Sequence, residues 1–241
     1  PAFLQDHVVH GQVILPAAAY VEMMLAAASH VHAGTANRYQ LDDVVFYAPL
    51  SLSTDEPVSI QTVVNRAANG QLICAVYSRD EKTKQWNQHA SAVLGVHADS
   101  TGTVSLNDIE SRCDQTHTAQ EHYQRIRERG LDFGSAFRGL TQLRLGQNES
   151  LARVEAPETI SSELSSYRLH PAILDAALQA TAVLIPDGAQ TYLPMSVRSI
   201  KVHGPLPSAF WSHATLQGPD AANRKVLTSN IKLFDDAGHL L

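Results

Sequence analysis

Apolar residues recur along this chain in two rhythms, helical in two short stretches and alternating through most of the rest. From 16 to about 32, the residues Ala17, Tyr20, Val21, Met24, Leu25 and Ala28 fall at helical spacing. Ala18, Ala19, Ala26 and Ala27 make the other sides small too, so this helix is expected to be wrapped by other structure. Pro16 suits its first position. Four strand-like runs follow at 39–47, 58–66, 71–78 and 85–96, the middle two separated by the turn-prone Asn69-Gly70. The stretch 97–118 is polar, carries Ser100, Thr101 and Gly102, and reads as a linker. A surface helix is expected at 118–129, with Thr118 as cap and Glu121 at capping-box spacing. Strands are expected at 138–145 and 151–156, then a second apolar helix from Pro171 to about 184. Three strand-like runs at 192–203, 210–217 and 225–234 close the chain.

Each half is thus a short apolar helix opened by proline, with strands around it. No residue-level repeat accompanies this, so the duplication rests on pattern alone. The expected organisation is a first unit at 1–96, a linker at 97–117 and a second unit at 118–241. The class is α+β, and the pattern fits two curved sheets, each enclosing one helix and packed edge to edge.

Composition narrows the function classes. Among 241 residues, 44% are hydrophobic and 17% charged, which fits a globular protein and argues against disorder. A net charge of -6 without a Lys/Arg cluster gives no reason to expect nucleic acid. Only Cys74 and Cys113 occur, in different contexts, so a reducing cytoplasm is the natural setting and a disulfide scaffold is not expected. No apolar run reaches the roughly 18 residues that span a bilayer, so no membrane partner is expected. The start at Pro1 and the break at Leu241 after the turn-like 235–238 suggest a piece cut from a larger polypeptide.

Two segments carry candidate chemistry. In the first, His7 stands on an apolar, glycine-bent segment that passes Gly11 and reaches the helix at Pro16. In the second, Asp175 is a lone carboxylate among Ile173, Leu174 and Leu178, with Gln179 one turn below it on the same face. Such a carboxylate is expensive to bury unless it is paired or protonated. Gln179 reads either as an ordinary polar helix residue or as an orienting partner. His10 reads as part of the backbone bend. The pairs His7/His10 and His30/His32 lack an accompanying Cys or carboxylate ligand set, so no metal is expected.

These segments resemble the dehydratase domains of modular polyketide synthases. His7, Gly11 and Pro16 reproduce the motif HxxxGxxxxP, and Asp175 and Gln179 supply the DxxxQ of the second motif. Between them, Gly130 to Phe137 is similar to GYxYGPxF, and Leu193-Pro194 falls where that family has an LPF-type motif. The resemblance covers essentially the whole chain. It implies a double-hotdog fold in which a histidine of the first unit and an aspartate of the second meet across a substrate tunnel. It also implies dehydration of a β-hydroxyacyl thioester, with His7 as base and Asp175 as acid. Gly11, Pro16, Ala17, Phe133, Gly134, Gln179, Leu193 and Pro194 are the implied substrate-binding positions. No cofactor is implied beyond the phosphopantetheine arm of acyl carrier protein, which delivers the substrate. The implied partners are that carrier protein, neighbouring synthase domains and a second copy in a homodimer. Alternatives are a relative that also isomerises, epimerises or cyclises, and an inactive scaffold that binds carrier protein.

The chemistry suits these residue types. A neutral imidazole can take a proton α to a thioester, and a carboxylic acid kept protonated by apolar surroundings can give one to the departing β-oxygen. A carboxylate early in a helix is also stabilised by the dipole, so desolvation must outweigh that effect for Asp175 to act as acid. Backbone N–H groups after Pro16 are candidates to hold the thioester carbonyl. The chain departs from the family pattern at Leu131 and Phe133, which replace tyrosines, at Ser135, which replaces proline, and at Ala17, where the family usually has glycine.

Overall fold

The computed structural model describes residues 1–32, 38–53, 56–98, 102–185, 191–218 and 226–241. A 3-10 turn at Ala2–Asp6 leads into a hairpin of β1 (His7–Val9) and β2 (Gln12–Val13). Its two turn residues, His10 and Gly11, both have positive φ (48° and 77°), the twist a two-residue hairpin turn demands. Helix α1 (Ala17–Val31) follows, and Pro16 is its N-cap, in extended conformation, rather than its first helical residue. Four strands come next: β3 (Tyr39–Phe46), β4 (Ile60–Arg66), β5 (Leu72–Arg79) and β6 (Trp86–Val96). Asn69-Gly70 turns the chain between β4 and β5, with Gly70 at φ 86°.

The polar stretch expected as a linker carries structure of its own. It holds α2 (Leu106–Arg112), capped by Ser105, and β7 (Gln115–His117). Ile109 and Cys113 bury against Leu151 and Phe234, a small apolar contact too sparse to stand out in a polar sequence. Ser100, Thr101 and the expected strand start at Lys225 lie outside the described residues. Helix α3 (Ala119–Glu128) has the capping box read from sequence, with the Thr118 hydroxyl accepting from Glu121 N and the Glu121 carboxylate accepting from Thr118 N. Then come β8 (Leu131–Phe133), a 3-10 turn at Ser135–Phe137, β9 (Leu140–Leu145), β10 (Glu149–Glu155) and a 3-10 stretch at Glu158–Ser166. Helix α4 (Pro171–Ala182) precedes β11 (Ser196–Val202), β12 (Ala209–Leu216) and β13 (Ser229–Phe234).

Two five-stranded antiparallel sheets result, ordered β11-β3-β6-β5-β4 and β13-β12-β10-β9-β7. The first covers α1, whose Ala18, Met24, Leu25 and Ala28 are fully buried; the second covers α4, with Ala172, Ala176, Ala177 and Ala180 fully buried. Small side chains let each helix approach its sheet closely, and the two helices pack against each other. This is the double-hotdog arrangement.

Sheet membership nonetheless crosses the expected division at 97–117. Strand β11 pairs with β3 and so completes the first sheet from the second half of the chain. Strand β7, within the expected linker, forms an edge of the second. A third, small sheet, β2-β1-β8, joins both halves. Periodicity registers which faces of a strand are buried; it carries no information on which strand lies alongside. The halves are also clasped by Glu22 of α1, a buried carboxylate that accepts the N–H groups of Arg168 (2.8 Å) and Leu169 (2.7 Å) just ahead of α4.

Candidate active site

The small sheet places the histidine. In the β1–β8 register His7 lies opposite Phe133, and the two rings stack at 5.1 Å and 26°. Phe137 closes on the imidazole from another side at 5.1 Å. His7 Nδ1 lies 2.8 Å from the carbonyl oxygen of Ile14. A carbonyl only accepts, so Nδ1 carries the proton and the lone pair is left on Nε2. That nitrogen stands 3.9 Å from Asp175 Oδ1. The expected pair from two separate helix-plus-strands units is therefore brought together.

Asp175 is held by α4. Gln179, one turn on, donates from Nε2 to Asp175 Oδ2 (3.0 Å) and to the carbonyl of Phe137 (3.1 Å). The amide thus links the carboxyl group to the 3-10 turn that carries Phe137. Burial pushes the Asp175 carboxyl above its ordinary range, against smaller opposing effects from His7 and the Gln179 hydrogen bond. The side chain keeps 13% of its surface open.

The supporting loops explain several motif positions. Gly130 (φ 84°) has no room for a Cβ, which would come within 2.3 Å of the His10 ring. His10 N donates to Gly130 O (2.7 Å), and His10 Nε2 lies 3.2 Å from the Thr191 hydroxyl. The bend residue His10 therefore ties the hairpin tip to the turn before β8 and to the segment before β11. Gly134 is crowded in the same way by Asp6, whose carboxylate would meet a Cβ at 2.3 Å and which accepts from Ala136 N (2.9 Å). Gly11 sits exposed at the hairpin turn with open space around it. Pro16 is buried and offers α1 no side-chain cap, leaving Ala17 as the first helical residue. Leu193 and Pro194 are exposed on the approach to β11, Leu193 by 52%.

Several residues of the site escaped the sequence reading. Ile14 acts through its backbone, which no side-chain pattern reveals. Phe137 was read only as a motif end, yet it touches His7 with its ring and Gln179 with its carbonyl. Glu22 is the instructive omission, since a lone charge on an apolar helix is the same signal that singled out Asp175. His170 caps α4, its Nδ1 accepting from Ala172 N (3.2 Å), and burial lowers its pKa. A cavity of about 480 Å³, with Leu25, Tyr167, His170 and Ile173 in its wall, opens on another face of α4, apart from His7 and Asp175. Among the described residues there is no group of three or more His, Cys, Asp or Glu arranged to hold a metal, and no helix is long and apolar enough to cross a membrane.

Comparison with known proteins adds to this geometry. Residues 1–79 match the family described as polyketide synthase dehydratase domain, and residues 101–241 match that described as polyketide synthase dehydratase N-terminal domain. The chain is 30% identical over 252 residues to the polyketide synthase PksM of Bacillus subtilis, a match that covers 99% of the chain but 6% of that protein. It superposes on the dehydratase domain from the CurF module of the curacin polyketide synthase with a TM-score of 0.90 and 31% identity, covering 100% of this chain and 86% of that one. The dehydratase of the CurK module, solved as an inactive Asp-to-Asn mutant, matches with a TM-score of 0.88 and 29% identity, covering 100% and 84%. An inactive His-to-Phe mutant of the same CurK domain matches equally well.

Proposed function

Because the chain belongs to the polyketide synthase dehydratase family and is a dehydratase, we propose that His7 and Asp175 carry the elimination as base and acid on a β-hydroxyacyl chain tethered to acyl carrier protein. The observation that carries this reading is the 3.9 Å approach of His7 Nε2 to Asp175 Oδ1, with Nδ1 committed to Ile14 O. The α-proton and the β-hydroxyl of the substrate sit on adjacent carbons, so one acyl chain can address both groups at once. His7 Nε2 takes the α-proton, and the C–H electrons form the new double bond as the β-carbon–oxygen bond breaks. Asp175, whose carboxyl pKa burial raises, gives its proton to that oxygen, which leaves as water. Return of the proton from the imidazolium to the carboxylate, through one bridging water or a small approach of the two side chains, resets the pair.

The N–H groups of Ala17 and the next turn face the thioester carbonyl on this reading. Phe133 and Phe137 fix the imidazole plane, Gln179 aims the carboxyl group, and Gly11, Gly134, Leu193 and Pro194 shape the approach. Both proton carriers come from the chain, so no cofactor is called for beyond the phosphopantetheine arm. Inactivity of an Asp and of a His mutant in the related CurK domain supports the assignment by analogy. Carrier protein, neighbouring synthase domains and a second copy of the chain are the partners proposed, in the cytoplasm. Incubation with a β-hydroxyacyl thioester should yield the α,β-unsaturated product, read as loss of one water by mass spectrometry. His7→Ala, folded, should yield none; turnover by that variant would reject the assignment.

A further inference from the structure

His89, on β6, has both ring nitrogens engaged inside the first sheet. Its Nδ1 lies 2.9 Å from the carbonyl oxygen of Ala48, and its Nε2 lies 2.7 Å from the Ser78 hydroxyl. Since Ala48 O can only accept, Nδ1 bears the proton and Ser78 donates to Nε2. The ring is buried, parallel to Tyr20 of α1 at 6.1 Å, and His89 O also accepts Tyr47 N (2.8 Å). His89 thus holds the segment at 47–48 through Nδ1 and its own carbonyl, while Ser78 of β5 anchors the far side of the ring.

That segment continues into the backbone that frames His7. Leu15 N donates to Leu50 O (2.8 Å), Leu52 N donates to Val13 O (2.8 Å), and Ile14 bridges Ser51. Ile14 is clamped from both sides, and its carbonyl sets the His7 tautomer. We infer that His89 is a positioning residue for His7, holding the strand at 48–52 in place so that the Ile14 carbonyl meets Nδ1 and keeps the Nε2 lone pair turned toward Asp175. A leucine at this position would fill the core yet leave Ala48 O without its donor. An asparagine would keep a donor where Nδ1 now stands. The inference rests on the assignment of His7 as base, but its first readout is independent of activity.

The test is nitrogen-15 NMR of histidine-labelled protein, which reports the tautomer of each imidazole, together with steady-state kinetics. In the wild type, His7 should show a single Nδ1–H tautomer. In His89→Leu, His7 should become a mixture of tautomers, and kcat should fall about tenfold with KM nearly unchanged. His89→Asn should restore the single tautomer and most of the rate. If His89→Leu does not fold, Ser78→Ala decides, since it removes the donor that fixes the far side of the ring; a smaller change of the same kind is expected. An unaltered His7 signal in a folded His89→Leu or, failing that, Ser78→Ala protein overturns the inference. A tautomer shift in His89→Leu, alongside a wild type that shows no dehydratase turnover, would instead reject the role of His7 as base while leaving the positioning intact.

Discussion

Helices α1 and α4 are alike in their alanine-rich composition, yet the single carboxylate on each has a different fate. Both helices are short, alanine-rich, preceded or opened by proline and enclosed by a five-stranded sheet. Glu22 on α1 receives two backbone N–H donors, from Arg168 and Leu169. Asp175 on α4 receives one side-chain donor, from Gln179, and turns its other oxygen toward His7. Burial raises the pKa of both groups. The surroundings then separate them: Glu22 spends its lone pairs joining the two halves, whereas Asp175 keeps an oxygen free to exchange a proton. Burial marks both residues as unusual, and the donor count tells the structural one from the reactive one.

The comparison is broken most directly at Asp175. Asp175→Asn keeps the shape and the Gln179 contact but has no acid proton, so kcat should fall by about 10²–10⁴-fold. The same variant should be more stable at neutral pH, because an amide pays no desolvation cost for a charge. The sign follows from linkage. A raised carboxyl pKa means that the folded state holds its proton longer, so this group's contribution declines as pH rises from its unfolded value of about 4 through its folded one. The melting-temperature gain of Asp175→Asn should therefore be near zero at pH 4 and grow with pH, about 2–4 °C for each kcal/mol gained. Equal melting temperatures across that range would show that Asp175 is not strained by burial.

At Glu22 the expectation inverts. Glu22→Ala strands two backbone donors, each worth about 1–3 kcal/mol when left unmet. Denaturant unfolding should show that loss, while turnover per folded molecule stays at the wild-type level. A variant with normal stability and impaired turnover would place Glu22 in the chemistry.

Gln179 sharpens the same contrast by subtraction. Its hydrogen bond lowers the Asp175 pKa, so Gln179→Leu should let that pKa rise further and move the basic limb of the kcat profile to higher pH. Loss of aim should lower kcat by about tenfold. The smallest effect is expected at Phe133, which stacks on His7 where the family pattern has tyrosine. Phe133→Tyr should change turnover by less than about threefold. One well-placed hydrogen bond in a dry site is worth about 1–3 kcal/mol, so a gain of tenfold or more would show that a missing phenol limits this enzyme.

Much of this was legible from residues alone. The two enclosed helices, the Asn69-Gly70 hairpin and the Thr118 capping box follow from interactions within a few residues, which sequence spacing records, whereas the pairing of His7 with Asp175 was implied by the motifs' resemblance to a family. The extents of α2 and β7 did not follow in this way, because the few apolar contacts of α2 lie on β10 and β13, and β7 has no apolar residue and is fixed by its pairing with β9. Nor did the pairing of β11 with β3, since alternation along a strand is blind to its neighbour. The same limit held at the site. The types of residue needed for proton transfer were set by the sequence, as was the helical spacing that lets Gln179 reach Asp175. Only the tertiary structure decided that Ile14 O would claim one nitrogen of His7, that Asp175 would meet the other, and that Glu22 would be silenced by Arg168 and Leu169. The first joins atoms seven residues apart across a hairpin, and the other two join atoms more than a hundred residues apart. In all three, burial and donor geometry, rather than helical or strand preference, choose the partner.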